Sequence, residues 1–130
     1  MARRFAASYE ATPRSVGVVR NQMAALAADC GLDDEHIADV KLAVSEAATN
    51  ALVHAYRDLD ESGVIRVEAE IGDGELQITV LDQGTGIKPR GDSPGLGLGL
   101  PVIASVSKRL EIAPQDVGTS LQMAFACPDA

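Results

Sequence analysis

The sequence has no tryptophan and only two Phe and two Tyr in 130 residues. Its interior must therefore be built from aliphatic side chains and alanine. Basic residues are also scarce: 11 Lys and Arg against 19 Asp and Glu leave a net charge of −8. That balance lacks the positive footprint needed for non-specific binding to nucleic acid or to an anionic membrane. Cysteine is limited to Cys30 and Cys127, a pair with neither metal-ligand spacing nor a disulfide framework. Two scattered histidines, His36 and His54, make no metal cluster. Long hydrophobic runs are missing too, since the apolar stretch from Gly95 to Ala104 is too short and glycine-rich to span a bilayer. Arg3-Arg4 form a twin arginine, but Ser8, Tyr9 and Glu10 interrupt any apolar export segment. The expectation is a cytoplasmic chain, with residues 1–130 forming one domain large enough for a hydrophobic core.

What the sequence does contain is organised around the stretch from Val44 to Tyr56. It carries four alanines and no Gly or Pro, and its apolar residues recur at three and four. Ile37, Val40, Val44, Ala48, Ala51 and Ala55 share one stripe, the expected core face. Glu46, Asn50 and His54 stack on the other side, one turn and about 6 Å apart. Their neighbours are Leu42, Ala43 and Val53 rather than charged residues. A carboxylate, a carboxamide and an imidazole in apolar surroundings are costly to bury unless something binds there. The plainer alternative is a partly buried helix with three ordinary polar residues.

Before this helix, residues 3–9 read as a strand with Phe5 and Ala7 on one face. Thr12-Pro13 starts a helix as N-cap and first helical residue, with Val16, Val19, Met23, Leu26 and Ala27 inward and Gly31 just beyond its end. Asp33 caps the long helix, whose acidic first turn suits a helix N-terminus. The basic residues Arg3, Arg4, Arg14 and Arg20 precede an acidic block from Asp29 to Asp39. Both groups read as solvated helix ends; the arginines alternatively form a positive patch for steering partners, with Arg20 the candidate contact.

After the helix, Ile65, Val67, Ala69 and Ile71 alternate with Arg66, Glu68 and Glu70, which predicts a strand with one wet face. Gly72-Asp73-Gly74 makes a hairpin turn. The partner strand points Leu76, Ile78 and Val80 inward, and Asp82 has their parity. A carboxylate aimed at the covered face just before Gly84 is either a ligand group or a turn residue satisfied by local amides. Gly84 to Gly99 holds six glycines and two prolines in 16 residues and reads as a loop, with a helix opening at Leu100-Pro101. It matches neither a Walker A loop nor a dinucleotide-binding fingerprint. It is either a phosphate site at a helix N-terminus or a plain connection. Two strands, Leu110–Ala113 and Thr119–Ala126, close the chain.

Three separated pieces thus carry one pattern. Glu46-x-x-x-Asn50-Ala51-x-x-His54-Ala55-Tyr56 resembles the N box of the gyrase, heat-shock chaperone and histidine-kinase ATP-binding superfamily. Asp82-Gln83-Gly84-Thr85-Gly86 resembles its first glycine box, Gly95-Leu96-Gly97-Leu98-Gly99-Leu100 its second, and Gly118-Thr119 its late Gly-Thr pair. Within that superfamily, Ser45-Glu46-Ala47 and His54-Ala55-Tyr56 look like the bacterial anti-sigma factor serine/threonine kinases. The resemblance implies the Bergerat ATP-binding fold: an α/β two-layer sandwich, its mixed and mostly antiparallel sheet covered on one face by helices. It implies ATP and Mg²⁺ as ligands, Asn50 on the metal, and Glu46 as general base on a partner's hydroxyl. Asp82 would meet the adenine amino group with Thr119 beside it. Gly84 and Gly86 would let the backbone approach base and ribose. Gly95, Gly97, Gly99 and Leu100 would cradle phosphates, with His54 beside them. Implied partners are an anti-anti-sigma (STAS-type) protein, a sigma factor and a second copy of the chain; nucleic acid and membrane are not among them. The competing expectation is a nucleotide-gated binding module without phosphotransfer. Only eight residues separate Gly86 from Gly95, so the segment covering the nucleotide is short for this superfamily.

Overall fold

The computed structural model describes residues 3–57, 63–82, 96–114 and 118–128. Strand β1 (Arg3–Glu10) leads into helices α1 (Pro13–Asp29) and α2 (Asp34–Arg57), followed by the β2 (Val64–Gly72) and β3 (Glu75–Asp82) hairpin. Helix α3 (Leu96–Val106) and strands β4 (Arg109–Pro114) and β5 (Thr119–Ala126) complete it. The sheet order is β1-β2-β3-β5-β4. All four pairings are antiparallel, so the expected mixed sheet is purely antiparallel among the described residues.

Local chemistry sets the element ends. The Thr12 side chain accepts a hydrogen bond from the Ser15 amide at 3.3 Å, and Pro13 begins α1 where no amide is needed. At the far end Gly31, with φ 89°, reverses the chain, and the amides of Gly31 and Leu32 donate to the carbonyls of Ala28 and Ala27. Asp33 Oδ1 then accepts from the His36 amide at 2.9 Å and caps α2. Between β2 and β3, Asp73 and Gly74 both have positive φ, 54° and 76°, the primed turn whose twist matches paired strands.

Every second residue of the central strands faces the helices. Ile65, Val67, Leu76, Ile78, Val80, Leu121 and Met123 are buried there with Val19, Met23, Val40 and Val44. Each such side chain contributes about 1.5–3 kcal/mol in removal from water. The other sheet face is polar, with Arg66 and Glu68 paired across it at 3.1 Å. Glu75 clasps Arg109 through two contacts of 3.0 and 3.1 Å and Lys108 at 3.0 Å, tying the start of β3 to the turn between α3 and β4.

Two expectations fail. The last helix runs Leu96–Val106 rather than starting at Leu100, so Gly97 and Gly99 are helical and Pro101 lies inside the helix. Local propensity argues against that, because glycine and proline are the poorest helix formers; packing against α2 overrides it. Cys30 and Cys127 are also a disulfide, their Cα atoms 6.1 Å apart across a sequence separation of 97. Spacing along the chain says nothing about this pair, because the turn after α1 and the end of β5 meet only in the folded protein.

Candidate active site

Asn50 lies on the α2 face turned toward α3 and is only 8% exposed; Glu46, one turn earlier, is half-buried. Leu42 and Val53 do not shield them, being 44% and 41% exposed. The cover comes instead from the backbone of α3 at Gly99. A Cβ placed on Gly99 would stand 3.1 Å from Asn50 Nδ2, 3.2 Å from Glu46 Oε2 and 3.3 Å from Asn50 Oδ1. Both side chains therefore rest on a stretch of α3 that carries no side chain of its own.

The Asn50 carboxamide is not satisfied by this arrangement. Its Nδ2 is buried and has no hydrogen-bond partner among the described residues. A buried polar group left unpaired costs about 1–3 kcal/mol, so a fold retaining one needs a reason. Amide nitrogen and oxygen exchange places by a simple flip, so the unmet position can equally present the carboxamide oxygen to a cation.

At the end of the sheet, Asp82 and Thr119 are direct partners across β3 and β5, with Ile65 next to Asp82 on the other side. Asp82 is 6% exposed and Thr119 3%, so the parity argument placed the carboxylate correctly on the covered face. Helix α2 lies against both β2 and β3, which brings the Glu46/Asn50 pair and the Asp82/Thr119 pair to the same layer between helices and sheet. The α2 helix runs through His54, whose side chain lies outside the described residues, as do Gly84, Gly86 and Gly95. Gly97 belongs to the first turn of α3, and Leu100 is half-buried against the core.

Two features fit the nucleotide and metal that the sequence implies. One is the unmatched Asn50 carboxamide beside a carboxylate, and the other is the bare backbone of α3 facing both. Hard cations of the magnesium type take oxygen ligands and leave most positions to phosphates and water. A single carboxamide oxygen suits that chemistry. Among the described residues no group of three or more His, Cys, Asp and Glu could hold a metal by itself.

Other charged groups lie elsewhere. Arg3 pairs with Asp29 at 3.5 Å and Arg4 with Glu70 at 3.8 Å. Arg14 and Arg20 form no ion pair among the described residues. A cleft of about 480 Å³ opens at the opposite end of α2, between Leu32, His36, Asp39, Ser105 and Lys108, and no site residue lines it. There the Asp33 side chain raises the His36 pKa above the usual 6.5, with Glu35 and Asp39 adding to the effect. No described helix is long and apolar enough to cross a membrane.

Residues 9–125 match the model of the histidine kinase-like ATPase domain. An anti-sigma F factor of Clostridium perfringens is 36% identical over 119 residues, covering 82% of this chain and 84% of that protein. The serine-protein kinase RsbW of Bacillus licheniformis is 38% identical over 87 residues, 67% of this chain and 54% of its own length. Among solved structures, the RsbU and RsbW domains of Rv1364c from Mycobacterium tuberculosis superpose with a TM-score of 0.75 at 27% identity. That match covers 95% of this chain and 32% of the other.

Proposed function

The chain belongs to the histidine kinase-like ATPase family, and from that premise we propose that it is an ATP-dependent protein serine/threonine kinase of the anti-sigma factor type. It binds Mg-ATP, phosphorylates a serine or threonine of an anti-anti-sigma (STAS-type) partner, and sequesters a sigma factor, acting as a homodimer. The observation that carries this reading is the Glu46 carboxylate held next to an unmatched Asn50 carboxamide on α2. A nucleotide-gated binding module needs the carboxamide but has no use for the carboxylate. The relatives named for anti-sigma activity and for serine-protein kinase activity agree with both halves of the proposal.

Each residue has a distinct task in this scheme. Glu46 takes the proton from the incoming hydroxyl, which a positioned carboxylate accelerates by about 10²–10⁴-fold. Asn50 offers its amide oxygen to Mg²⁺. The metal, when bound with ATP, neutralises phosphate charge and so favours transfer. Asp82 accepts a hydrogen bond from the adenine amino group, with Thr119 at its side, and this selects adenine over guanine. The amide of Gly97 lies in the first turn of α3, where amides lack intrahelical acceptors and suit a phosphate. Arg14 and Arg20 supply a local positive patch on an acidic protein for steering an acidic partner surface.

The decisive experiment is incubation with γ-labelled ATP, Mg²⁺ and a STAS-domain protein from the same organism. The expected result is label on a partner serine or threonine, dependent on Mg²⁺ and not supported by GTP. A protein that binds ATP and the partner but leaves the partner unlabelled is a switch rather than a kinase.

A further inference from the structure

We propose that Gly99 is a positioning residue for phosphotransfer: the absence of its side chain sets where Glu46 and Asn50 can lie. The inference rests on the kinase reading for its rate effect, and on the geometry alone for its structural effect.

The three nearest contacts of a Cβ at Gly99 are terminal side-chain atoms of the two functional residues, at 3.1, 3.2 and 3.3 Å. Real Cβ atoms seldom approach so closely, so any side chain at 99 must displace both groups. Two other glycines have no such part: a Cβ at Gly17 would meet Arg20 at an ordinary 3.5 Å, and one at Gly74 would meet nothing within 4 Å. Backbone conformation does not explain the glycine either. Among the described residues the positive-φ glycines are Gly31, Gly74 and Gly118, so Gly99 has a conformation open to every residue. In a helix interior glycine is less stable than alanine, and its presence there calls for a packing reason.

Phosphate binding is the rival explanation, and the position of Gly99 weakens it. With α3 beginning at Leu96, Gly99 is its fourth residue. The amides without intrahelical acceptors are those of the first turn, where Gly97 sits and Gly99 does not. Among the described residues no hydrogen bond holds the Asn50 Nδ2 in place, so a methyl group pressing on it from Gly99 can move it. A methyl group would push the carboxamide and the carboxylate away by some tenths of an ångström. Proton transfer needs a reach of about 2.6–3.2 Å, and misplacement by about 1 Å costs on the order of 100-fold in rate.

The test compares Gly99→Ala and Gly99→Ser with Gly17→Ala, a helical glycine outside the site. Transfer from γ-labelled ATP to the STAS-domain protein, ATP affinity by calorimetry, and melting temperature are measured for each. Gly99→Ala should lower kcat by roughly 3–10-fold, lower ATP affinity by a smaller factor through the displaced Asn50, and leave the melting temperature equal or higher. Gly99→Ser should fall further, and Gly17→Ala should keep the wild-type kcat. In ¹⁵N spectra the Asn50 side-chain amide resonances should move in both Gly99 variants and not in Gly17→Ala. Wild-type kcat in Gly99→Ala would overturn the proposal, as would a loss of ATP affinity as large as the loss of kcat. If the wild-type protein transfers no phosphate at all, the kinase reading falls, and the Asn50 resonances alone decide the positioning role. Unmoved resonances then overturn it.

Discussion

At the N-terminal end of α2, Asp33 caps the helix and pairs with His36, the Cys30–Cys127 disulfide lies alongside, and Glu75 holds Lys108 and Arg109 across the neighbouring turn. At the middle of the same helix, where Glu46 and Asn50 stand, the fold does the opposite. It leaves Asn50 Nδ2 unpaired and covers the pair with a helix containing Gly97, Gly99 and Pro101. Pro101 has no amide hydrogen to give the Gly97 carbonyl. One region is over-determined by hydrogen bonds and covalent linkage, while the other is kept short of partners. A binding site needs groups whose partners arrive with the ligand, and such groups weaken the fold until then. Stabilising residues concentrated at the other end of α2 offset that cost.

The contrast can be broken at either end. The largest effect is expected from Glu46→Gln, which should slow phosphotransfer by about 10²–10⁴-fold while ATP affinity and melting temperature stay as they are. Wild-type transfer in that variant would remove Glu46 as the base. Opening the disulfide should act in the reverse sense. Reduction, or Cys127→Ser, should lower unfolding free energy by about 2–4 kcal/mol, with phosphotransfer per folded molecule unchanged. Chemical denaturation with and without a dithiol reductant measures this directly.

A smaller change should follow from Asp82→Asn. The variant keeps the size of the side chain but turns a donor toward the adenine amino group, weakening ATP binding by about 1–3 kcal/mol. Equal calorimetric affinity for ATP in variant and wild type would exclude that contact.

The smallest effects are those of pH on the stabilised end. Hydrogen bonds from Arg109, Lys108 and Gln77 lower the Glu75 pKa from 4.5 to about 2. The folded-state value is the lower one, so this stabilisation is present above pH 4.5 and is lost as pH falls toward about 2. For His36 the sign reverses. Its pKa is raised from 6.5, so its contribution is complete below 6.5 and disappears as pH rises through the higher folded value. Urea midpoints of Glu75→Gln should vary less than wild type between pH 5 and 2, and those of His36→Gln less between pH 6 and 8. Variants that follow the wild-type curve would show that these pairs are too solvent-screened to matter.

Much of this was legible from residue order. The caps at Thr12 and Asp33, the turn at Asp73-Gly74 and the inward parity of Asp82 follow from local chemistry, and the structure keeps each of them. The i, i+4 spacing of Glu46 and Asn50 likewise put both on one helix face. The cover over that face could not be read fully from spacing: of the apolar neighbours Leu42, Ala43 and Val53, only Ala43 is buried, and α3 lies over the face at Gly99. Helix α3 was misjudged because Gly97, Gly99 and Pro101 disfavour helix locally, whereas contact with α2 rewards a slim one. The disulfide joins residues separated by 97 positions and leaves no local trace.

That disulfide also gives the covalent structure a shape of its own. The chain from Cys30 to Cys127 is a closed ring, and β1 with α1 forms a tail attached to it at one point. A protease cutting the backbone once inside the ring leaves a single molecule that separates only after reduction. A cut in the tail frees the preceding piece from every covalent tie, leaving β1 held by non-covalent contacts, its pairing with β2 first among them. Arg3, Arg4, Arg14 and Arg20 all sit on that tail, whereas Glu46, Asn50, Asp82, Gly99 and Thr119 all lie within the ring. Limited proteolysis on non-reducing gels therefore separates damage to the arginine-bearing surface from damage to the proposed catalytic residues.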